Sequence, residues 1–293
     1  MIKIITDSSA DRSEQVTAKY DMPFVPLTVI LNDKEYLDRI EISINELHDY
    51  MKADNFPKTS QINLQLAIET FEEAAKAEDD VIYISIHGQL SGSYQVAMNA
   101  MNEVKEKYPE FQCEIIDSKT AAGGQTLLFL TAMELVDRDY DFDTIVNQTR
   151  QNAENMVTYV AVDDLNWLAK GGRLPKSVGK IGSMLKVKPL LFIDENGIEK
   201  ESLVRGKKRV YTKLVDEFLK QIEHYDNQPI VVSHVDKLEV AQEIESKIKE
   251  KLPSAKVIIF EISAVIASHA GIGGLAVFGL KEKPEDFYPI SID

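Results

Sequence analysis

Short apolar runs separated by amphipathic stretches recur along the whole chain. Short runs of apolar residues are typical of buried strands, whereas apolar residues spaced three and four apart are typical of helices. The predicted strands lie at residues 2–5, 24–31, 81–86, 114–116, 159–162, 190–193, 230–232 and 257–262. Because helical patterns lie between most of these runs, the sequence predicts an α/β fold.

The pattern changes near residue 156. Before it, strands alternate with helices as in a doubly wound, mostly parallel sheet, and two helices at 121–136 and 142–155 follow. After it, Asp194-Glu195-Asn196-Gly197 predicts a hairpin turn, which indicates a mixed sheet. A chain of 293 residues also exceeds the usual size of one domain, about 100 to 200 residues. We therefore expect two α/β domains, residues 1–156 and 157–293.

Two helix starts are marked by capping patterns. Ser43 precedes Glu46 by three residues, and Asp236 precedes Glu239 by three. In such a capping box the first side chain accepts from the helix backbone while the second reaches back. The pattern predicts helices beginning at about residues 44 and 237.

Composition restricts the partners and the compartment. The net charge of -15 opposes binding to nucleic acid or to an anionic membrane surface. Cys113 is the single cysteine, so the chain has no internal disulfide, which suits a reducing compartment. The first residues predict a strand instead of a secretory signal. We expect a cytoplasmic protein.

Residues 262–280 carry no charged side chain and approach the length that spans a bilayer. The segment also contains His269 and four glycines, which weaken a membrane helix. It predicts a loop followed by a buried strand at 275–280, without membrane insertion.

Hydroxyl side chains surround Gly92 at a predicted strand-to-helix turn. Ser91 and Ser93 follow the strand at 81–86 and precede a helical pattern at 94–107. Free backbone N–H groups and the helix dipole favour an anion there, and glycine lets the anion approach the backbone. The alternative is that Ser93 only caps its own helix.

Two further segments carry the same kind of chemistry. Thr59-Ser60-Gln61 lies between two helical patterns, where capping is again the alternative. His269 is either a hydrogen-bonded core residue or a group near a ligand. If it is partly exposed near an anion, it would carry charge around neutral pH. Together the three segments predict a site that holds one carboxylate.

The chain resembles the DegV family over essentially its whole length. The motifs that carry the resemblance are Thr6-Asp7-Ser8-Ser9-Ala10, Val25-Pro26-Leu27, Thr59-Ser60-Gln61, Leu90-Ser91-Gly92-Ser93-Tyr94-Gln95, Ile116-Asp117-Ser118-Lys119, Gly171-Gly172-Arg173, Lys188-Pro189 and His269-Ala270-Gly271. The resemblance implies a lipid-binding protein that acts as the fatty-acid-binding subunit of a bacterial fatty acid kinase.

The resemblance also implies a binding site and partners. A long-chain fatty acid would lie in a tunnel at the junction of the two α/β domains, without another cofactor. Its carboxylate would be held by these residues: Thr59, Ser60, Ser91, Gly92, Ser93 and His269. A separate kinase would catalyse phosphoryl transfer to the carboxylate, so the chain itself is expected to be a carrier and not an enzyme.

Basic residues are concentrated in two segments of this acidic chain. The first contains Lys170, Arg173, Lys176, Lys180, Lys186 and Lys188, and the second contains Arg205, Lys207, Lys208, Arg209 and Lys213. They are either solvated faces or a positive surface that contacts phosphate or an acidic partner. The resemblance favours kinase docking through Arg205 and Lys208, whereas Arg173 either joins them or approaches the ligand head.

Three enzyme classes compete with the carrier hypothesis. Ser91, one of several aspartates such as Asp236, and His269 follow the order of an α/β-hydrolase triad. However, the G-x-x-S-G sequence around Ser91 is one position short of the G-x-S-x-G turn. The chain lacks the glycine motifs that cradle nucleotide phosphates. Its five histidines form no H-x-x-x-H pair, which disfavours metal catalysis. A serine esterase using Ser91 and His269 is the main alternative.

Overall fold

The computed structural model describes residues 1–174 and 187–290. The elements of the first half are β1 (Ile2–Asp7), α1 (Glu14–Lys19), β2 (Phe24–Val25), β3 (Thr28–Leu31), β4 (Lys34–Leu37), α2 (Ile44–Lys52), β5 (Lys58–Ser60), α3 (Leu64–Lys76), β6 (Asp80–Ser85), α4 (Ser93–Lys107), β7 (Cys113–Asp117), α5 (Gly123–Val136) and α6 (Phe142–Glu154). Those of the second half are β8 (Met156–Ala161), α7 (Asn166–Lys170), β9 (Val187–Asp194), β10 (Gly197–Arg205), α8 (Lys207–Gln221), β11 (Pro229–His234), α9 (Leu238–Lys251), β12 (Lys256–Glu261), α10 (Ala264–Ala270) and β13 (Leu275–Leu280).

The N-terminal sheet is parallel, with the strand order β2-β1-β6-β7. Successive side chains of a strand point to opposite faces, so β6 contributes to two cores. Ile82 and Ile84 belong to the cluster that contains α5, whereas Val81 and Tyr83 pack in the cluster that contains α3 and α4. Helices therefore cover both faces, and the predicted doubly wound arrangement is confirmed.

The predicted strand at 24–31 is two strands that belong to different sheets. Pro26 lies between β2 and β3 and has no N–H to donate, so a central sheet pairing cannot continue through it. β2 pairs with β1, whereas β3 forms a small antiparallel sheet in the order β4-β3-β5. The prediction of one strand is wrong, and the small sheet is what positions β5 and Thr59.

The C-terminal sheet has the order β10-β9-β8-β13-β11-β12. β11 and β12 pair in parallel, and the other neighbours are antiparallel. The sheet is therefore mixed, as predicted. Asp194 pairs with Gly197 at the turn between β9 and β10, which confirms the predicted hairpin.

Helix α5 packs between the two large sheets, in contact with β1 and β6 on one side and with β11 and β13 on the other. Almost all of its residues are buried, as expected for a helix that is apolar on every face. A Cβ atom on Gly123 would lie 2.4 Å from Val231, so only glycine allows this close approach. The strands of the C-terminal sheet all begin at or after Met156. The division into two domains at this residue stays a prediction.

The two predicted helix caps have different outcomes. Ser43 accepts from the Glu46 amide and the Glu46 carboxylate accepts from the Ser43 amide, so the first capping box is confirmed. The second is wrong, because α9 has Lys237 at its N-cap position. Asp236 instead adopts a φ of 52° and forms an ion pair with Lys52 at 2.7 Å.

Residues 262–280 contain the predicted strand β13, but the segment before it is not a loop. It forms the short helix α10, which ends at Gly271, a glycine with a φ of 75°. Across residues 1–174 and 187–290, no helix has the length and apolar character needed to cross a membrane.

Candidate functional site

A cavity of about 280 Å³ is lined by residues from both halves of the chain. Its apolar lining comprises Leu27, Ile86, Leu90, Ala121, Ala122, Val160, Val162, Leu168, Ile193, Ile198, Ile262, Val265, Ile266, Ala270, Leu275, Ala276 and Phe278. Its polar lining, called here the polar cluster, comprises Thr59, Ser60, Gln61, Ser91, Gly92, Arg173 and His269. An apolar cavity with a few grouped polar side chains is typical of a site for an amphipathic small molecule.

Thr59 and His269 are joined across 210 positions of sequence by the fold. Thr59 lies in the middle of β5 and pairs with Val29 of β3. His269 lies in the last turn of α10, and its Nε2 is 2.7 Å from the Thr59 hydroxyl oxygen. Helix α3 is capped by Asn63, so Thr59 and Ser60 are not capping residues. This contact is the centre of the polar cluster.

Gly171 and Gly271 provide the space for the His269 imidazole and its neighbour Trp167. A Cβ atom on Gly171 would lie 2.1 Å from Nδ1 of His269. A Cβ atom on Gly271 would lie 2.1 Å from the Trp167 ring. Both glycines were recognised in the sequence only as parts of motifs, and their steric role is visible only in three dimensions.

His269 is neutral at pH 7 in this structure. Burial, with a smaller contribution from the nearby charge of Arg173, lowers the pKa of His269 to about 4. A charged imidazole was expected only if the His269 ring were partly exposed near an anion. The ring is instead buried beside the Arg173 cation, so that condition is not met. Nδ1 has no hydrogen-bond partner within the described part of the chain.

The depressed pKa of His269 predicts a pH dependence of stability. The unfolded state, with a His pKa of about 6.5, binds the proton before the folded state does. The free energy of unfolding should therefore fall as the pH decreases from 6.5 towards 4, by about 2–3 kcal/mol from this residue. Urea unfolding at pH 7.5 and pH 4.5 should show a smaller loss in His269→Gln than in the wild type. Equal losses in both proteins would contradict the assignment.

Ser91 and Ser93 form a partly buried hydroxyl pair around the N-cap of α4. The two hydroxyl oxygens are 2.9 Å apart, and the Ser93 hydroxyl accepts from the Ile62 amide at 3.2 Å. Gly92 holds the N-cap position without a side-chain hydrogen bond, so Ser93 does not cap its own helix. Ser93 is fully buried and Ser91 lines the cavity. Ser93 therefore connects Ser91 to the segment that follows β5.

The predicted basic residues separate into two places. Arg173 lines the cavity, and its guanidinium donates to the carbonyl oxygens of Leu90 at 3.0 Å and Gly171 at 2.6 Å. Arg205, at the end of β10, and Lys208, in the first turn of α8, are exposed and do not line this cavity. Lys176, Lys180 and Lys186, which belong to the first basic segment of the sequence, lie outside the described residues.

Nearly the whole chain matches one protein family. The profile described as "Uncharacterised protein, DegV family" matches residues 1–282. The chain belongs to the DegV family. It is 32% identical over 285 residues to the DegV domain-containing protein CPE0026 of Clostridium perfringens, which covers 96% of this chain and 98% of that protein.

Solved structures of other DegV proteins share this fold. The structure described as fatty acid binding of a DegV family protein from Thermus thermophilus has a TM-score of 0.87 and 25% identity, covering 95% of this chain and 99% of that chain. The fatty acid kinase (Fak) B3 protein of Streptococcus pneumoniae, loaded with linoleic acid, has a TM-score of 0.84 and 25% identity, covering 96% and 99%. These similarities confirm the predicted family and α/β fold.

The polar cluster of this DegV protein does not have the geometry of a hydrolase triad. In the described structure the Ser91 hydroxyl is hydrogen-bonded to Ser93, and the His269 ring is hydrogen-bonded to Thr59. Asp236 forms an ion pair with Lys52. A nucleophilic serine requires a base within hydrogen-bond reach and a third group that orients the base. No group of three or more His, Cys, Asp or Glu side chains in the described chain could hold a metal ion.

Proposed function

We propose that this DegV protein binds a long-chain fatty acid in the cavity and presents it to a separate fatty acid kinase. The observation that carries the proposal is the lining, which is apolar throughout except for the polar cluster. There the Thr59 hydroxyl contacts the His269 imidazole, and the Ser91 hydroxyl lines the same cavity. The fatty acid binding described for the Thermus thermophilus protein and the linoleic acid bound by the Streptococcus pneumoniae protein support the same ligand class. The carboxylate would lie at Thr59, Ser60, Ser91, Gly92, Ser93 and His269.

The hydrogen bonds of the polar cluster can be arranged so that two hydroxyl protons remain free for a ligand. With its proton on Nε2, neutral His269 donates to Thr59, whose own hydroxyl proton is then free for a ligand. Ile62 donates its amide to Ser93, Ser93 donates its hydroxyl to Ser91, and the Ser91 proton is free in the same way. An end made of donors fits an ionised carboxylate, which only accepts hydrogen bonds.

The tail and the head of the ligand would contribute to binding in different ways. Removing about sixteen methylenes from water is worth roughly 13 kcal/mol before the costs of binding, at about 0.8 kcal/mol each. A carboxylate buried without partners would cost several kcal/mol, so the donors must converge on it. The apolar lining therefore supplies affinity, and the polar cluster fixes which end of the molecule reaches the surface.

Presentation to a kinase is the second part of the proposal. The described polar cluster contains no nucleotide-binding motif and no assembled triad, so the phosphoryl group would come from a partner enzyme in the cytoplasm. Arg205 and Lys208 are exposed and carry positive charge in a chain of net charge -15. They fit docking to an acidic surface or contact with a phosphate.

Extraction of the purified protein tests the ligand directly. The denatured protein is extracted with solvent, and the extract is analysed by mass spectrometry beside an extract of an unrelated protein prepared in parallel. A fatty acid in near-stoichiometric amount is expected. An empty extract that stays empty after incubation with fatty acids of several lengths would refute the binding proposal.

Arg205→Ala is expected to reduce kinase-dependent acyl-phosphate formation severalfold while leaving the affinity for fatty acid unchanged, because Arg205 is exposed and does not line the cavity. Lys76→Ala is the matched control, since it removes an exposed positive charge from α3. Phosphorylation is measured with a DegV-dependent fatty acid kinase, and affinity by titration. Equal rates in Arg205→Ala and Lys76→Ala would exclude Arg205 from docking.

A further inference from the structure

The β9–β10 hairpin forms a wall of the cavity next to the polar cluster. Ile193 and Ile198 are paired across the hairpin, and both line the cavity. Ile198 also lines a groove of about 660 Å³, where the side chains of Gln89 and Asn196 are exposed. The groove and the cavity share these further lining residues: Leu90, Ser91, Gly92 and Arg173. The hairpin therefore lies where the polar cluster meets the protein surface.

The side chain of His87 contacts this hairpin at its turn. His87 lies between β6 and α4, and its Nε2 is 2.9 Å from the carbonyl oxygen of Asp194, the last residue of β9. A carbonyl oxygen only accepts hydrogen bonds, so Nε2 carries a proton and donates it. The His87 residue is 1% exposed. Because an unpaired buried donor is costly, the ring depends on this acceptor.

The main chain of His87 holds the turn that carries Ser91. Its carbonyl oxygen accepts from the Leu90 amide at 2.9 Å and from the Ser91 amide at 3.2 Å. Its own amide donates to the Thr120 carbonyl oxygen at 2.9 Å. Leu90 and Ser91 both line the cavity. One residue thus contacts the hairpin through its side chain and the Ser91 turn through its main chain.

Asp117, at the end of β7, lies beside the ring nitrogen that does not contact the hairpin. Its Oδ1 is 3.4 Å from Nδ1 of His87. The same oxygen accepts from the Gly88 amide at 3.2 Å and from the Lys119 amide at 3.1 Å. Asp117 therefore connects the residues around the ring to the parallel sheet of the N-terminal half.

The turn of the hairpin also packs against the Ser91 turn. A Cβ atom on Gly197 would lie 3.5 Å from Cβ of Gln89 and from Cδ2 of Leu90, which is ordinary van der Waals distance. Apolar packing of this kind is not directional, whereas a hydrogen bond is. The contact of His87 with Asp194 therefore supplies the directional restraint between the two turns.

We propose that His87 is a positioning residue of the fatty-acid site, which holds the β9–β10 hairpin against the turn that carries Ser91. The inference rests on the proposed function, since it concerns the wall of the same cavity. His87 does not line the cavity, so it acts through Ile193 and Ile198 on one side and through Ser91 on the other. Because this wall lies at the groove, loosening the hairpin should speed the release of the fatty acid.

Two substitutions of His87 separate the hydrogen bond from the rest of the side chain. In His87→Gln the amide nitrogen can take the place of Nε2 and donate to Asp194, whereas the side chain in His87→Asn is one carbon shorter and does not reach. Dissociation of a fluorescent fatty acid into excess serum albumin is expected to be about fivefold to twentyfold faster in His87→Asn. In His87→Gln the rate should stay within about twofold of the wild type.

His224→Asn is the matched control. Nε2 of His224 lies 3.0 Å from the Leu219 carbonyl oxygen, so this substitution also removes a contact between an imidazole and a backbone carbonyl. His224 lies between α8 and β11 and lines neither the cavity nor the groove. The dissociation rate in His224→Asn is expected to equal that of the wild type.

Hydrogen exchange separates positioning from a general loss of stability. Backbone amides of residues 190–200 should exchange faster in His87→Asn than in the wild type or in His87→Gln. Amides of β11 and β12, which lie in the same sheet, should keep their wild-type rates. A general loss of stability would instead increase exchange in all of these strands.

The wild-type protein itself tests the hydrogen bond, so the test does not depend on the folding of His87→Asn. The imidazole ¹⁵N signals of His87, assigned by their loss in His87→Gln, are expected to show a protonated Nε2. A ring that carries its proton on Nδ1 alone could not donate to Asp194 and would overturn the proposal.

The outcomes distinguish this inference from the proposed function. A wild-type protein that binds no fatty acid refutes the proposed function, while the exchange of the hairpin amides still tests the restraint by His87. A wild type that binds, with unchanged release and unchanged hairpin exchange in His87→Asn, refutes the positioning role alone. Faster release together with faster hairpin exchange, both restored in His87→Gln, supports it.

Discussion

Gly171→Ala is expected to abolish high-affinity fatty-acid binding while the protein still folds. The added Cβ atom would lie 2.1 Å from Nδ1 and 2.8 Å from Cε1 of His269. Real Cβ atoms do not approach other heavy atoms so closely, so the imidazole must move. His269 cannot move without losing the 2.7 Å contact with Thr59. We expect affinity to fall about 100-fold, because the loss of oriented charge-assisted donors costs about 1.5–3 kcal/mol.

The backbone of Gly171 does not itself require glycine, which makes the substitution informative. Its φ of -74° and ψ of -8° suit alanine, so the effect would come from the side chain alone. Overpacking of this kind costs about 1–3 kcal/mol of stability. Gly88→Ala is the matched control, because its Cβ atom would meet only ordinary contacts, the nearest at 3.4 Å. Wild-type affinity in Gly171→Ala would show that His269 does not contribute to the site.

The sequence predicted the class of fold and most of the strands because burial leaves a local pattern. The strands at 81–86 and 230–232 are buried on both sides, so nearly all of their residues are apolar. A run of this kind can be recognised from a few residues of sequence. The splitting of 24–31 was missed because Pro26 is compatible with a strand edge as well as with a break. Helix α10 was missed because glycines follow it closely and its stability comes from tertiary contacts.

The sequence singled out the polar residues that line the cavity, but it did not indicate the residues that support them. Thr59, Ser91 and His269 stood out because their side chains can hold a carboxylate and because they lie in motifs that resemble those of the DegV family. Their supports did not, because contacts such as that of the Asp11 carboxylate with the Ser263 amide join residues 252 positions apart. The apolar lining could not be distinguished from ordinary core, since a leucine has the same pattern in either place.

The two halves of the chain contribute different parts of the polar cluster. β5 and the turn before α4 bring the hydroxyls of Thr59 and Ser91, whereas the second half brings His269 and Arg173. Helix α5 packs on strands of both large sheets, so the two sets are held by one continuous core. A change in the packing of either half would therefore alter the geometry of the polar cluster.

Thr59→Val is expected to weaken fatty-acid binding about 10-fold to 100-fold without unfolding the protein. Valine has nearly the same shape and suits the middle of β5, but it cannot donate a hydrogen bond. The carboxylate loses one donor, and Nε2 of His269 loses its partner at 2.7 Å. Leaving such a buried group unpaired costs about 1–3 kcal/mol. Affinity is measured by displacement of a fluorescent fatty acid, with melting temperature as the check on folding.

Two comparisons test whether the loss of affinity in Thr59→Val comes from the contact between Thr59 and the carboxylate. Thr59→Ser keeps the hydroxyl and should bind within about threefold of the wild type, because the hydrogen bond is retained. A long-chain alcohol of equal length carries no charge, so its affinity should fall less than that of the acid when Thr59 becomes valine. The difference between the two losses measures the energy of the Thr59 contact with the charged head. Equal losses for acid and alcohol would mean that Thr59 shapes the cavity and does not hold the carboxylate.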